Sequence, residues 1–386
     1  MKLSLKRVHI FFLASYAPSL LNFRGPLIRD VIAAGHRVSV GAPDITPEIR
    51  ARLEELGAKV YDTPLQRTGT GILADLRYGL VLRRLISRIQ PDTVLTYTIK
   101  PNIWGAFAAR LAGVPSVAMV TGLGYAFTDS GVNSFRQRLV RFVARFLYRS
   151  ATNCNAWVIF QNPDDRDDFC KAGCLADVGK AGMVNGSGVD MAHYQRAPLP
   201  DQPVFLMIAR LLRNKGVREY AEASLSILQQ YPEVRCLLVG PFGEGPDGIS
   251  KTDLDRWIGG GLEYLGPQDD VRLALAQARV YVLPSYREGT PRSVLEAMSM
   301  GRPVITTDAP GCRETIRDGV EGFLVPVRDS QALVIAMKRM LDDPSGTQNM
   351  AEAAFRRAAE KYDVHAVNRK MMSLIGLSEQ HDKAVD

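Results

Sequence analysis

The sequence predicts an α/β protein of two doubly wound parallel sheets, one per domain, facing each other across a cleft. Three observations carry that expectation. Short apolar runs of β type alternate with segments of helical period, the pattern of parallel strands buried on both faces. The alternation stops at a proline-rich stretch and then restarts. A chain of 386 residues also exceeds what a single core usually organises.

In the first half the runs are "VHIFFLA" (8–14), "RVSVGA" (37–42), "KVYDTP" (59–64), "DTVLTYT" (92–98), "SVAMVTG" (116–122) and "AWVIFQ" (156–161). Amphipathic stretches such as 72–90 lie between them. The opening "MKLSLKRVHIFFLASYA" imitates a secretory signal, but its short apolar core contains His9 and suits a buried first strand better. The first domain is placed at 1–193. "YQRAPLPDQP" at 194–203 holds three prolines and reads as a linker. The second domain, 204–362, takes up the pattern with "PVFLMIAR", "VRCLLVG", "VYVLPS", "RPVITTD" and "GFLVP". A closing helix at 363–377 could pack back on the first domain, and 378–386 reads as a disordered tail.

Composition is that of a soluble globular protein, with 46% hydrophobic and 23% charged residues. No apolar run reaches the ~18–20 residues of a membrane span. The cysteines Cys154, Cys170, Cys174, Cys236 and Cys312 are scattered and odd in number, which suits free thiols in a reducing cytoplasm. Cys170 and Cys174 alone make no zinc site. Charge is uneven. Residues 1–150 carry 21 Lys and Arg against 9 Asp and Glu, and the rest 27 against 32. The basic first part calls for an anionic partner: nucleic acid, lipid headgroups or a phosphorylated substrate. No nucleic-acid-binding module is recognisable, so that class is set aside. "SFRQRLVRFVARFLYRS" (134–150) interleaves five arginines with apolar residues and has no acid. It suits a helix lying on an anionic membrane, or a helix packed on its own sheet with arginines in solvent.

The chemistry concentrates in "SYREGTPRSVLEAMSMGRPVI" (285–305). Glu288 and Glu296 flank a Thr-Pro step, with no basic partner evident nearby in sequence. Thr290 is expected as N-cap and Pro291 as the first helical residue, with Gly301 and Pro303 ending the helix. The N–H groups of Arg292, Ser293 and Val294 would then form an anion site. A carboxylate beside an anion needs other partners, and two acceptor oxygens suit a diol or a sugar hydroxyl. Arg210 ends a strand and Lys215 follows five positions on. They suit a diphosphate, or equally two surface cations beside a helix. "DRD" (165–167) and "DLD" (253–255) look like metal-binding triplets but fit solvated helix faces, so no metal site is expected.

The stretch "VYVLPSYREGTPRSVLEAMSMGRPVITTDAPGCRETIRDGVEGFLVP" resembles the retaining glycosyltransferases of family 4, of GT-B fold with two Rossmann-like domains. It has a Glu, seven residues and a second Glu, then Gly-x-Pro-Val, Gly-x-x-Glu and Gly-x-Leu-Val. The resemblance extends through "NGSGVD", "ARLLRNKG", "LLVG" and "EYLGPQDDV". It implies that Arg210 and Lys215 hold a donor diphosphate and act with Glu288 in catalysis. Glu296 would bind the ribose and Glu288 the transferred sugar, with Gly289, Thr290, Ser293 and Val294 completing the donor site. Gly266 and Pro267 would line the base pocket. The loop "SYAPSLLNFRGPLI" lacks the glycine pair that many members carry after the first strand. "TIKPNIWGAFAARLAGVPSVAMVTGLGYAF" is similar to the branch extending undecaprenyl-diphosphate-linked sugars in bacterial surface-glycan assembly. Asn22, Phe23, Arg24, Lys100, Asn102, Thr121, Gly122, Gly124 and Tyr125 are the acceptor-side candidates.

The resemblance implies transfer from a nucleotide-sugar, UDP by family habit, to a lipid-linked saccharide. The reading adds a same-face route, an α linkage, no metal or other cofactor, and a cytoplasmic protein peripheral to the inner membrane face. A UDP-sugar epimerase shares the two-domain form, but its chemistry does not call for the paired glutamates. A dehydrogenase would want Gly-x-Gly-x-x-Gly after an early strand, which is missing. A non-catalytic nucleotide-sugar-binding protein would keep the same motifs and differ only in turnover.

Overall fold

The computed structural model describes residues 7–65, 71–123, 135–243 and 245–377. Gly124, Tyr125 and the 378–386 segment lie outside them. The chain divides into two compact units, 1–187 with 365–386, and 188–364.

The first unit is built on seven parallel strands: β1 (His9–Leu13), β2 (Arg37–Ala42), β3 (Lys59–Asp62), β4 (Thr93–Tyr97), β5 (Ser116–Val120), β6 (Trp157–Phe160) and β7 (Ala181–Met183). They lie in the order β3-β2-β1-β4-β5-β6-β7. The central β1 pairs Ile10 with Val38 on one side and Phe11 with Val94 on the other. All five of its residues are buried, because helices cover both faces. Ile10 and Phe12 pack with Leu27, Val31 and Leu53 of helices Gly25–Ala33 and Pro47–Glu55. Phe11 and Leu13 meet Tyr78, Leu82 and Ile86 of helix Ile72–Ile89 on the opposite face. Tyr148 and Ala151 of helix Phe135–Thr152 cover Val158 and Phe160 on that same face.

Helix Val364–Leu374 belongs to this unit almost entirely. Val367 and Met371, with Ile375 and Leu377 beyond it, enter the core, while Asn368 Nδ2 donates to Asp30 at 2.8 Å. Strand β7 was not apparent in sequence: it is three residues long with a glycine in the middle. Gly182 is there for a packing reason, since a Cβ would lie 3.1 Å from Leu374 Cδ1.

The second unit carries six parallel strands: β8 (Val204–Ile208), β9 (Arg235–Val239), β10 (Glu263–Tyr264), β11 (Val280–Leu283), β12 (Val304–Thr307) and β13 (Gly322–Val325). Their order is β10-β9-β8-β11-β12-β13. In both units the order reverses direction beside the first strand, the arrangement that makes a ligand site at the carboxyl ends.

The segment expected as a linker is held against the second unit. Ser299 Oγ donates to Tyr194 O at 2.7 Å, Ala197 N to Met300 O at 3.2 Å, and Arg302 Nη1 to Ala197 O at 3.2 Å. Prolines remove N–H groups but leave carbonyls, and buried donors claim them. The division between units falls earlier, at Ser187–Gly188. Arg302 is fully buried with no acid among its hydrogen-bond partners. Carbonyls of Leu275, Ala276 and Ala197 accept from it, and burial pushes its pKa down to about 10.

Candidate functional site

At the carboxyl end of the second sheet, the loops after β8, β11 and β12 are joined. Lys215 sits in a single 3-10 turn, Arg213–Lys215, after β8. Its Nζ lies 2.5 Å from Glu288 Oε1, which also accepts from Ser285 Oγ at 2.8 Å. The two loops are locked together, since Tyr286 N and Ser285 Oγ both donate to Asn214 O, at 2.9 and 3.2 Å. A third loop backs the second: Glu288 N donates to Pro310 O at 2.9 Å. Here Gly311 is required. Its φ is +78°, and a Cβ would meet Glu288 O at 2.1 Å. Glu288 is thereby held from three directions.

Helix Arg292–Ser299 follows, and its start corrects the sequence reading. Pro291, in extended conformation, is the N-cap, so Arg292 and not Pro291 opens the helix. The Thr290 hydroxyl lies one position before that cap and donates to Gly289 O at 2.9 Å. Val294 N–H is already engaged with Pro291 O at 3.1 Å, which removes it from the anion site. Ser293 instead has its side chain near the Tyr281 hydroxyl, which donates to Ile208 O at 3.1 Å.

Glu296 is one turn further in and only 7% exposed. Contrary to the sequence reading, it has a basic neighbour one helical turn away: Arg292 Nε lies 2.8 Å from its Oε1. Burial raises its pKa above the ordinary carboxylate value, an effect that Arg292 and the Tyr194 hydroxyl only partly offset.

Arg210 lies just past β8, exposed and with no side-chain partner among the described residues. Beside it, Gly240 N donates to Gly266 O at 3.0 Å, and Tyr264 OH to Gly240 O at 2.8 Å. Gly266 is half-buried and Pro267 exposed. Sequence reasoning missed Phe242, which is 47% exposed directly after β9 and packs edge-to-face on Tyr264. An aromatic two residues past the "LLVG" strand end was the available signal. Ser285 was missed too, although it lies two residues past a strand end.

The acceptor-side candidates follow β1, β4 and β5, which are neighbours in the first sheet. Asn22 and Phe23 are exposed at the end of helix Pro18–Asn22. Arg24 is buried, with its guanidinium 5.1 Å from the centre of the Tyr97 ring. Tyr97 OH is 3.0 Å from Ser19 Oγ, and Thr98 Oγ1 donates to Ser15 Oγ at 2.8 Å, so the loops after β1 and β4 are joined. Thr98 has φ +71°, a strained value for a β-branched residue. Lys100 Nζ pairs with Asp75 at 2.8 Å. Asn102 does not face outward as expected. It is 1% exposed, accepts from Thr96 Oγ1 at 2.8 Å and donates to Met119 O at 2.9 Å, which makes it an interior strut. Thr121 is half-buried and Gly122 exposed.

Asp165 of the "DRD" triplet is also interior: it accepts from Asn162 Nδ2 at 3.0 Å in the cap of helix Pro163–Lys171. Asp253 pairs with Arg256. Among the described residues no helix is long and apolar enough to cross a membrane.

Two family profiles match this chain: glycosyl transferases group 1 over residues 202–343, and glycosyl transferase 4-like domain over 25–173. The chain is similar to the N,N'-diacetylbacillosaminyl-diphospho-undecaprenol alpha-1,3-N-acetylgalactosaminyltransferase of Campylobacter jejuni, at 27% identity over 95% of this chain and 98% of that one. It is also similar to the UDP-Gal:alpha-D-GlcNAc-diphosphoundecaprenol alpha-1,3-galactosyltransferase of Escherichia coli, at 28% identity over 74% and 75%. Among solved structures, Anabaena HepE in complex with UDP superposes with a TM-score of 0.74 at 22% identity, over 95% of this chain and 98% of that one. The two parallel sheets and the GT-B fold class agree with that likeness. With a glycosyl transferase 4-like domain in its first half and the paired glutamates in its second, the chain belongs to the group 1 glycosyltransferases.

Proposed function

We propose that the protein transfers a sugar from a nucleotide-sugar, with UDP as the carrier, to a saccharide linked to undecaprenyl diphosphate, with retention and an α linkage. The observation that carries this is the grouping at one sheet end of an exposed Arg210, a Lys215–Glu288 pair and a buried Glu296. Arg210 takes the diphosphate, and Lys215 shares its charge between the diphosphate and Glu288. Glu288, Gly289 and Thr290 face the transferred sugar, with Ser293 and Val294 at the adjoining first turn. Glu296 accepts from the ribose diol, which returns the hydrogen bonds that burial removed. Gly266 and Pro267 border the base. The acceptor class follows the names of the two bacterial relatives, and the carrier follows the UDP complex.

In this mechanism the leaving diphosphate takes the acceptor proton on the face it departs from. The sugar–phosphate bond breaks as the new glycosidic bond forms on that same face. Arg210 and Lys215 stabilise the charge that develops on the diphosphate, so no metal is invoked. On the acceptor side, Asn22, Phe23, Arg24, Lys100, Thr121, Gly122, Gly124 and Tyr125 remain in the proposal, and Asn102 supports them from within. A lipid-linked acceptor places the working enzyme at an anionic membrane on the cytoplasmic face.

Thermal shifts with UDP, GDP, ADP and NAD test the donor reading on wild type and Glu296→Ala. Saturation at 100 times Kd adds about 2.7 kcal/mol, or roughly 2–4 °C. A shift with UDP alone, lost in the variant, is expected; equal shifts in both proteins would overturn the ribose role. UDP release that depends on a lipid-diphosphate saccharide separates the enzyme from a mere binding protein, and an NMR assignment of the product linkage tests retention.

A further inference from the structure

Helix Ile72–Ile89 reads as an ordinary amphipathic helix, but it buries only part of its apolar content. Tyr78, Leu82, Leu85 and Ile86 enter the core. Leu73, Leu76 and Leu80, spaced i, i+3 and i+7 on one face, are 83%, 47% and 54% exposed. Three leucines in a row on the outer side of a helix are not scattered surface residues; they form a ridge about 10 Å long. Continuing along that face come Arg77, Arg83 and Arg84, all exposed. The one acid of the helix, Asp75, is already paired with Lys100.

Orientation adds to this. The helix joins β3 to β4, parallel neighbours of β2 and β1, so it runs antiparallel to the strands. Its leucine end therefore lies at the carboxyl ends of the strands, beside Lys100, and its arginines trail toward the other end. Helix Phe135–Thr152 covers the same sheet face and exposes Phe142 (68%) and Phe146 (60%). Apolar side chains beside the exposed Arg77, Arg83 and Arg84 match a surface that is apolar beneath and anionic at its rim.

We propose that the Leu73–Leu76–Leu80 ridge is a membrane-docking surface that inserts into an anionic lipid bilayer, with Arg77, Arg83 and Arg84 on the headgroups. Docking there would set the loop after β4 at the height of the lipid headgroups, where a lipid-linked diphosphate is found. The purpose rests on the acceptor reading above, but vesicle binding is measured without donor or acceptor, so the two fail separately.

The test is co-sedimentation of the full chain with phosphatidylcholine vesicles, with and without phosphatidylglycerol. The variants are Leu73→Ser/Leu76→Ser/Leu80→Ser, Leu73→Ser alone, and Arg77→Gln/Arg83→Gln/Arg84→Gln. An unchanged melting temperature identifies the variants that are folded, and the single variant covers a failure of the triple one. Wild type is expected to bind the anionic vesicles. The leucine triple variant should weaken binding at least about tenfold, slightly less than one fully buried leucine's worth, and the single variant by a smaller factor. The arginine variant should lose the preference for phosphatidylglycerol. Wild-type binding unchanged in every folded leucine variant would overturn the proposal, as would no wild-type binding at low salt. A wild-type dimer that the leucine variants convert to monomer would also overturn it, in favour of a second copy of the chain on the ridge.

Discussion

Glu296 is poised against the stability of its own fold. A carboxyl whose pKa rises on folding stabilises the protein at low pH and loses that contribution as pH rises through the folded value. At neutral pH the buried, ionised group is therefore a net burden on the empty protein. Glu296→Gln should raise the melting temperature of the ligand-free protein and abolish the shift given by UDP; a lower melting temperature in the variant would contradict this. Lys215 and Glu288 should behave as a unit. Their single substitutions to Ala and Gln are expected to be non-additive in kcat/KM by about 0.5–3 kcal/mol in a double-mutant cycle, and strict additivity would show that the pair does not persist in the working site. How much of this was legible in sequence depends on range. The spacing of the two glutamates was visible because it is local. The Lys215–Glu288 pair, 73 residues apart, depends on two strands lying side by side, which no local pattern reports. The Arg292–Glu296 pair was local and was overlooked, because Arg292 was weighed only for its backbone N–H.

The elements that position the site are held by close backbone approaches, and these can be tested one at a time. Gly311→Ala places a Cβ against Glu288 O in a left-handed backbone conformation. It is expected to cost about 2 kcal/mol or more and to lower kcat further than stability loss explains, as kinetics well below the melting temperature would show. Arg302→Ala leaves one buried carbonyl and two half-buried ones without their donor. A loss of about 2–4 kcal/mol is expected from the unpaired carbonyls and the cavity, read from urea unfolding of the second unit. The strands were legible because burial on both faces leaves continuous apolar runs, and "VHIFFLA" is β1 with little change at either end. Strands β7 and β10 were not, being too short to form such a run. The 194–203 segment misled for a different reason. Its prolines suggest a free linker, but composition counts missing donors and cannot count the carbonyls that Ser299 and Arg302 bind. Thr290 misled likewise, since a good capping residue stands one position before the Pro291 that takes the cap.

For the molecule as a whole, two buried histidines should make the first unit sensitive to acid. His9 and His36 are each 7% exposed, and burial lowers both pKa values below 6.5, with Arg37 adding to the effect at His9. The unfolded chain takes up protons below about pH 6.5 while the folded unit does not. Stability should thus be level above that pH and fall as pH drops below it. His9→Gln should make the decline shallower in a melting series from pH 8 to 5; an identical slope would assign the decline to other groups. The same unit has a second peculiarity in Val367, Met371, Ile375 and Leu377, which fill its core from beyond residue 364. On the ribosome, the β1–β7 sheet is synthesised first, yet the side chains that seal one of its faces emerge after the whole of 188–364. The half made first is therefore the half finished last. Until then the sheet lacks the Val367, Met371, Ile375 and Leu377 side chains that complete its core.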